Sequence, residues 1–192
     1  MQRNGRTGWS QEPVPMSEKP ATSPLRFALK FVILFAVLYA AFEASRGSIF
    51  ERFVIEDLIL SPTTALINAV TPGEHVALIG RTIASTGTNL RVTRGCEGVE
   101  MFLLLVAGIM AFPASIKHRA AGLCIGAILA YLLSVTRLMA LHYILHYSPS
   151  AWETLHGLLL PLGPIIIIVL YFIHWSAGAM HGAPLSPAAR AA

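Results

Sequence analysis

The chain reads as an all-α membrane protein, with about four transmembrane helices and a small extracytoplasmic segment that contains a β-hairpin. Hydrophobic residues make up 55% of its 192 positions and charged residues only 12%, and its mean hydropathy is +0.63. The charges cluster and leave long uncharged runs, the pattern of a chain that crosses a bilayer several times. Between those runs lies one large polar segment, residues 45–98, read as extracytoplasmic. The formal net charge of +4 does not point to nucleic acid. The basic residues flank apolar runs, where membrane topology accounts for them, and no basic patch with interleaved aromatics is present. The expected partner in this respect is the lipid bilayer.

In chain order, residues 1–24 are rich in Pro, Gly, Ser and charge, and read as a disordered cytoplasmic tail. Residues 25–176 form the integral membrane domain, and 177–192 a second disordered tail. The first span is 27–44, with Lys30 able to snorkel. A cleaved signal peptide is the rival reading. The run begins late and is longer than a usual signal core, which favours a membrane anchor. Within the polar segment, 53–70 reads as short helical pieces broken at Ser61-Pro62, with Leu66, Ile67 and Val70 on the membrane surface. The runs 75–85 and 89–93 flank Thr86-Gly87-Thr88 and read as a hairpin leading to Cys96. The second span is 99–114, the third 120–145 and the fourth 157–175, with Pro161 and Pro164 bending the last. Trp152 and Trp175 read as interface anchors, and Cys124 as a packing residue inside the third span.

Flanking charges orient the chain. Arg3, Arg6, Lys19 and Arg26 precede the first span, and Lys117 and Arg119 lie between the second and third. The loop between the third and fourth has neither Lys nor Arg. The positive-inside rule then puts both termini in the cytoplasm. With that topology Cys96 stands at the outer start of the second span. Arg137 lies about 25 Å into the third, and His156 at the outer start of the fourth. Three reactive side chains far apart in sequence thus reach one depth on one side.

Each has a plainer reading: Cys96 as a small interfacial residue, Arg137 as a snorkelling anchor, His156 as a wetted helix start. Against these, Gly95 and Gly98 permit tight backbone geometry and close approach of a ligand. An arginine flanked by apolar sequence is expensive in lipid and marks an interior site. The chemistry that fits is nucleophilic catalysis. Cys96 would act as thiolate, helped by a helix N-terminus and by Arg94 and Arg137. His156 would carry the proton, and Arg137 would stabilise an oxyanion. Arg94, Gly95 and Gly98 would hold substrate. Glu97 and Glu100 work against a thiolate, and their role is open. A second constellation is His142 and His146, spaced i, i+4, which with His156 could form a metal site. No His-Glu-x-x-His pattern accompanies them, and the neighbouring Tyr143 and Tyr147 suit an interface belt. No cofactor or metal is therefore expected.

The segment Arg94-Gly95-Cys96-Glu97-Gly98-Val99-Glu100 leads into an apolar helix that ends in Ala111-Phe112-Pro113-Ala114. Ser134-Val135-Thr136-Arg137 follows late in the next helix, and His156-Gly157 opens the last. Over about 70–175 this resembles the exosortase/archaeosortase family of membrane transpeptidases, in the compact, exosortase H-like form. The family often has Asn three residues before the Arg, where this chain has Ser134. The resemblance implies Cys96, Arg137 and His156 as catalytic residues of a membrane thiol protease or transpeptidase. It also implies substrates: exported proteins carrying a C-terminal sorting signal, made of a short motif, an apolar helix and a basic end. Cleavage would run through a Cys96 thioester on the outer face of a bacterial inner membrane. A non-enzymatic membrane accessory or assembly protein, and the histidine metal site, are the competing expectations.

Overall fold

A computed structural model describes residues 24–93 and 95–181. The two expected tails lie largely outside these residues, and so does Arg94. Four helices are long and apolar enough to cross a membrane: α1 (Pro24–Ala44), α2 (Ile49–Val70), α4 (Ile116–Tyr147) and α5 (Pro149–Ala179). A shorter apolar helix, α3 (Val99–Ala111), precedes α4. Between α2 and α3 lies a three-stranded antiparallel sheet in the order β1-β2-β3: β1 (Ala77–Ile79), β2 (Thr82–Ala84) and β3 (Asn89–Arg91).

Several expectations change. The segment 53–70 is not broken at Ser61-Pro62. It continues as one helix whose stretch Phe53–Leu60 is π-helical. Ser61 N–H donates to the Glu56 carbonyl five residues back, and Pro62 falls in the first turn of the α-helical second half. Proline is common in the first turn of an α-helix, and here a π-helical stretch precedes it without a break in the helix. Thr63 and Thr64 hydroxyls donate to the Ile59 and Leu60 carbonyls at 2.7 and 2.9 Å, engaging acceptors in the same turns.

Both ends of α2 meet the sheet. Glu51 pairs with Arg81 in the β1–β2 turn at 2.8 Å. Asn68 exchanges two hydrogen bonds with the Val76 backbone, at 2.7 and 2.8 Å. The helix therefore runs alongside the sheet instead of leading away from it. Ile67 is fully buried while Leu66 and Val70 are exposed, so only part of the expected surface face points outward.

The run 75–85 does not form one strand. It turns at Gly80-Arg81, where Ile79 pairs with Thr82 and Gly80 has φ +59°. A left-handed glycine at the first central position of a two-residue loop matches the twist of the flanking strands. The expected second span also shortens. α3 has 13 residues, about 20 Å at 1.5 Å each, and stops where Phe112 turns extended before Pro113. Conversely, α4 is 32 residues long, and the Ser115 hydroxyl accepts the His118 N–H at its start. Only Ser148 separates it from α5, and the final helix runs on to His181, so residues 177–181 are helical where a disordered tail was expected.

Two apolar clusters organise the molecule. One joins α2, the sheet and the second half of α4 through Ile55, Leu60, Ile67, Ile83, Leu138 and Leu141. The other joins α3, the first half of α4 and α5 through Leu105, Ile109, Ala130, Ile168 and Trp175. Among helices in lipid, burial itself gains little and close packing decides association. A Cβ on Gly122 would lie 2.2 Å from Trp175 Nε1, and one on Gly126 would lie 2.6 Å from Leu105 Cδ2. Trp175 is accordingly a packing residue and not an interface anchor. It is buried, stacks on His118 and donates to the His118 carbonyl at 3.2 Å. Cys124, expected to pack, instead faces outward, whereas Cys96 is buried; both are free thiols.

Candidate functional site

Helix α3 runs antiparallel to α1: Phe27 near the start of α1 meets Phe112, while Tyr39 and Phe42 near its end share a cavity with Gly95 and Val99. This brings the 95–98 loop to the same end of the helices as the middle of α4 and the first turns of α5. The loop needs its glycines. Gly95 has φ +77° and Gly98 φ +82°, a region in which other L-residues are strained. Gly98 also abuts α4, where an added Cβ would stand 2.1 Å from Ser134 Oγ. The Ser134 hydroxyl is itself engaged with the Ala130 carbonyl at 2.9 Å. Gly98→Ala should therefore combine a left-handed penalty of about 1–2 kcal/mol with an overpacking penalty of about 1–3 kcal/mol. The expected result is a clear loss of melting temperature in detergent. An unchanged melting curve would mean that the loop sits elsewhere.

Within this frame the three expected catalytic side chains come together in part. Cys96 and His156 line one narrow cavity of about 20 Å³ together with Arg91, Thr93, Leu138, Leu141 and Trp152. That volume has room for about one water. Among the described residues, the Cys96 thiol's hydrogen-bonding partner is Thr93 Oγ1 at 3.8 Å, and no hydrogen bond joins it to His156. Arg137, buried in α4, reaches over the loop, and its Nη1 donates to the Gly95 carbonyl at 2.9 Å. Arg137 Nε and His156 Nδ1 are both buried without a hydrogen-bond partner. Two donor or acceptor atoms are thus left open at the thiol's end of the bundle, where buried polar atoms are normally satisfied.

Both glutamates line one cavity on the far side of the loop, together with Tyr39, Phe42, Glu43, Arg46 and Glu51. Glu100 is exposed there, and Glu97 is buried. Burial pushes its carboxyl above the usual carboxylate range, opposed by backbone hydrogen bonds and by the charge of Arg81. In the pH window between the ordinary and the raised value, the folded state holds more protons than the unfolded one. Stability therefore falls as pH rises through that window. Glu97→Gln should melt higher than the parent at neutral pH, and the difference should vanish at pH values below the ordinary carboxylate range. Thermal melts across pH check this; a lower melting point for the variant at neutral pH would contradict it.

The histidine constellation is organised differently from a metal site. His142 and His146 do share a face, with ring centroids 6.3 Å apart. His142 Nε2 donates to Glu74 Oε2 at 2.7 Å, and His146 Nδ1 pairs with Thr88 Oγ1 at 3.1 Å. The hydrogen bond from His142 holds the Glu74 carboxyl below its usual range. Tyr143 meets Thr71 at 3.1 Å, and Tyr147 donates to Glu74 at 3.2 Å. The last turns of α4 thus clamp the end of α2 and the approach to β1. Among the described residues no three His, Cys, Asp or Glu side chains are grouped to hold a metal ion.

Thr93 and Trp152 belong to the cavity and were not foreseen there. Thr93 stands three residues before Cys96, and Trp152 stands four before His156, so local spacing alone could have indicated both.

These features define a helical protein with four potential membrane spans that holds a thiol and an imidazole in one cavity at one end. Comparison with protein-family models, curated proteins and solved structures finds no match to the chain.

Proposed function

We propose that this protein is a multi-pass membrane cysteine peptidase or transpeptidase. The observation that carries the reading is the single cavity shared by Cys96 and His156, beside a glycine loop tethered by Arg137. In the proposed reaction His156 accepts the thiol proton, directly or through the one water the cavity admits. The sulfur pair forms a bond to the carbonyl carbon of the scissile amide. The carbonyl electrons move to oxygen, where the unpartnered donor Arg137 Nε supports the negative charge. Collapse expels the amine, which takes the proton from His156 and leaves an acyl thioester on Cys96. Water or an acceptor amine then attacks the thioester carbon and restores the thiol.

The substrate class follows the family resemblance of the 94–100, 134–137 and 156–157 motifs: exported proteins with a C-terminal motif, apolar helix and basic end. The same resemblance and the flanking charges support a site on the extracytoplasmic face of a bacterial inner membrane. Entry of a peptide requires the cavity to widen beyond its one-water size. The test is co-expression with a sorting-signal protein and measurement of its cleavage. Under this reading cleavage depends on Cys96. A non-enzymatic assembly factor would leave cleavage unchanged when Cys96 is replaced.

A further inference from the structure

We infer that Trp152 is a positioning residue for His156, holding the imidazole against the Cys96 cavity; this rests on the catalytic reading of Cys96 and His156. The two side chains sit four residues apart on the first turns of α5, with ring centroids 4.7 Å apart and planes tilted by 34°. Both line the cavity that Cys96 lines. Trp152 also packs on the apolar cluster built from α2, the sheet and α4. The indole therefore connects a rigid core to a ring that has little else to orient it, because His156 Nδ1 is buried without a hydrogen-bond partner. A catalytic histidine usually takes its orientation from a hydrogen bond to a third group. Here an aromatic face occupies that place, and aromatic contacts of this kind contribute beyond area alone.

His156 lies in the π-helical turn Leu155–Leu159. Turns of this kind are frequent at functional sites. The ionisable groups facing the ring across the cavity are Cys96 from the loop and Arg91 from β3. α4 contributes Leu138 and Leu141, and its Arg137 is turned to Gly95. Glu153, next to Trp152, is exposed.

The test is the rate of alkylation of Cys96 by iodoacetamide in the full-length protein in detergent. Cys124→Ser serves as the background, so that Cys96 is the one remaining thiol. In the measured step a His156 nitrogen accepts the thiol proton, the sulfur pair forms the bond to the reagent's methylene carbon, and iodide leaves. Trp152→Met should slow alkylation about tenfold, since misplacing a reacting group by about 1 Å costs up to ~100-fold. Trp152→Phe, which keeps a ring, should stay within about twofold of the parent. In a His156→Ala background Trp152→Met should have no further effect, because the two residues act as one unit. Equal rates for the Met and Phe variants, or the same slowing with His156 absent, would overturn the role of Trp152. If His156→Ala itself leaves alkylation unchanged, the catalytic reading fails as well. If only His156→Ala slows it, the catalytic reading stands and the role of Trp152 falls.

Because Trp152 also packs on the core, one readout avoids replacing it. The His156 ring protons, assigned by their loss in His156→Ala, should be shifted upfield by the indole in the NMR spectrum. Unshifted signals would also overturn the inference.

Discussion

Replacing Cys96 by Ala is expected to abolish cleavage of a co-expressed sorting-signal substrate, by about 1000-fold or more, while the amount of protein in the membrane stays the same. The two halves of this result have separate causes. Of the side chains lining the cavity the thiol is the strongest nucleophile, and general acid–base help from His156 does not replace it. The side chain is buried, but it is small, and its recorded polar contact is a long one to Thr93. Its removal leaves at most a void the size of one sulfur, and the loop is held by Gly95, Gly98 and Arg137 instead. Membrane levels on a blot and substrate length on a gel check both halves together. Continued cleavage at the parental rate would remove Cys96 from the chemistry.

The second large effect is expected at Arg137. Arg137→Lys should fold and insert normally and yet lower turnover by about 100- to 1000-fold. On the proposed reading the arginine would perform two tasks that a lysine cannot combine. Its Nη1 fixes the Gly95 carbonyl, and its Nε is buried without a hydrogen-bond partner, which the proposed reaction assigns to the oxyanion. A lysine ammonium is a compact donor without the planar fork, so it can tether the loop or meet the oxyanion from one position but not both. Arg137→Ala should add a loss of melting temperature, because the Gly95 carbonyl then loses its partner. Full turnover in Arg137→Lys would reduce Arg137 to a loop tether and remove it from catalysis.

That Cys96 and His156 would share one end of the molecule was legible because helix period and rise carry depth information; Arg137 tethers the loop without lining their cavity. A polar loop before α3, an arginine late in α4 and a histidine early in α5 reach the same end once the helices alternate in direction. The glycines at 95 and 98 were legible as room for tight backbone geometry, but their left-handed conformation was not, since helix starts ordinarily use extended backbone. What stayed hidden depended on contacts between distant residues. Ser61-Pro62 resembles a helix break, and only the π-helical hydrogen bonding upstream of it lets α2 continue. The outward face of Cys124 could not be chosen because α4 is apolar on many sides. The pairing of His142 with Glu74 joins two elements with the whole sheet and α3 between them in sequence. It converts an apparent metal pair into a structural clamp. Gly80 sat in an alternating run and marked a turn, a signal that the longer strand pattern masked. Trp152 carried the signature of an interface aromatic, which masked its four-residue spacing from His156.

The most direct test is mass spectrometry of the full-length protein incubated with a sorting-signal peptide and quenched in acid. The expected result is a peptide containing Cys96 that gains the mass of the acyl fragment. That adduct should be released by hydroxylamine as a thioester must be, and it should be absent from Cys96→Ala. Cleavage of the peptide with no adduct on Cys96, or an adduct that persists in Cys96→Ala, would contradict a mechanism built on this thiol.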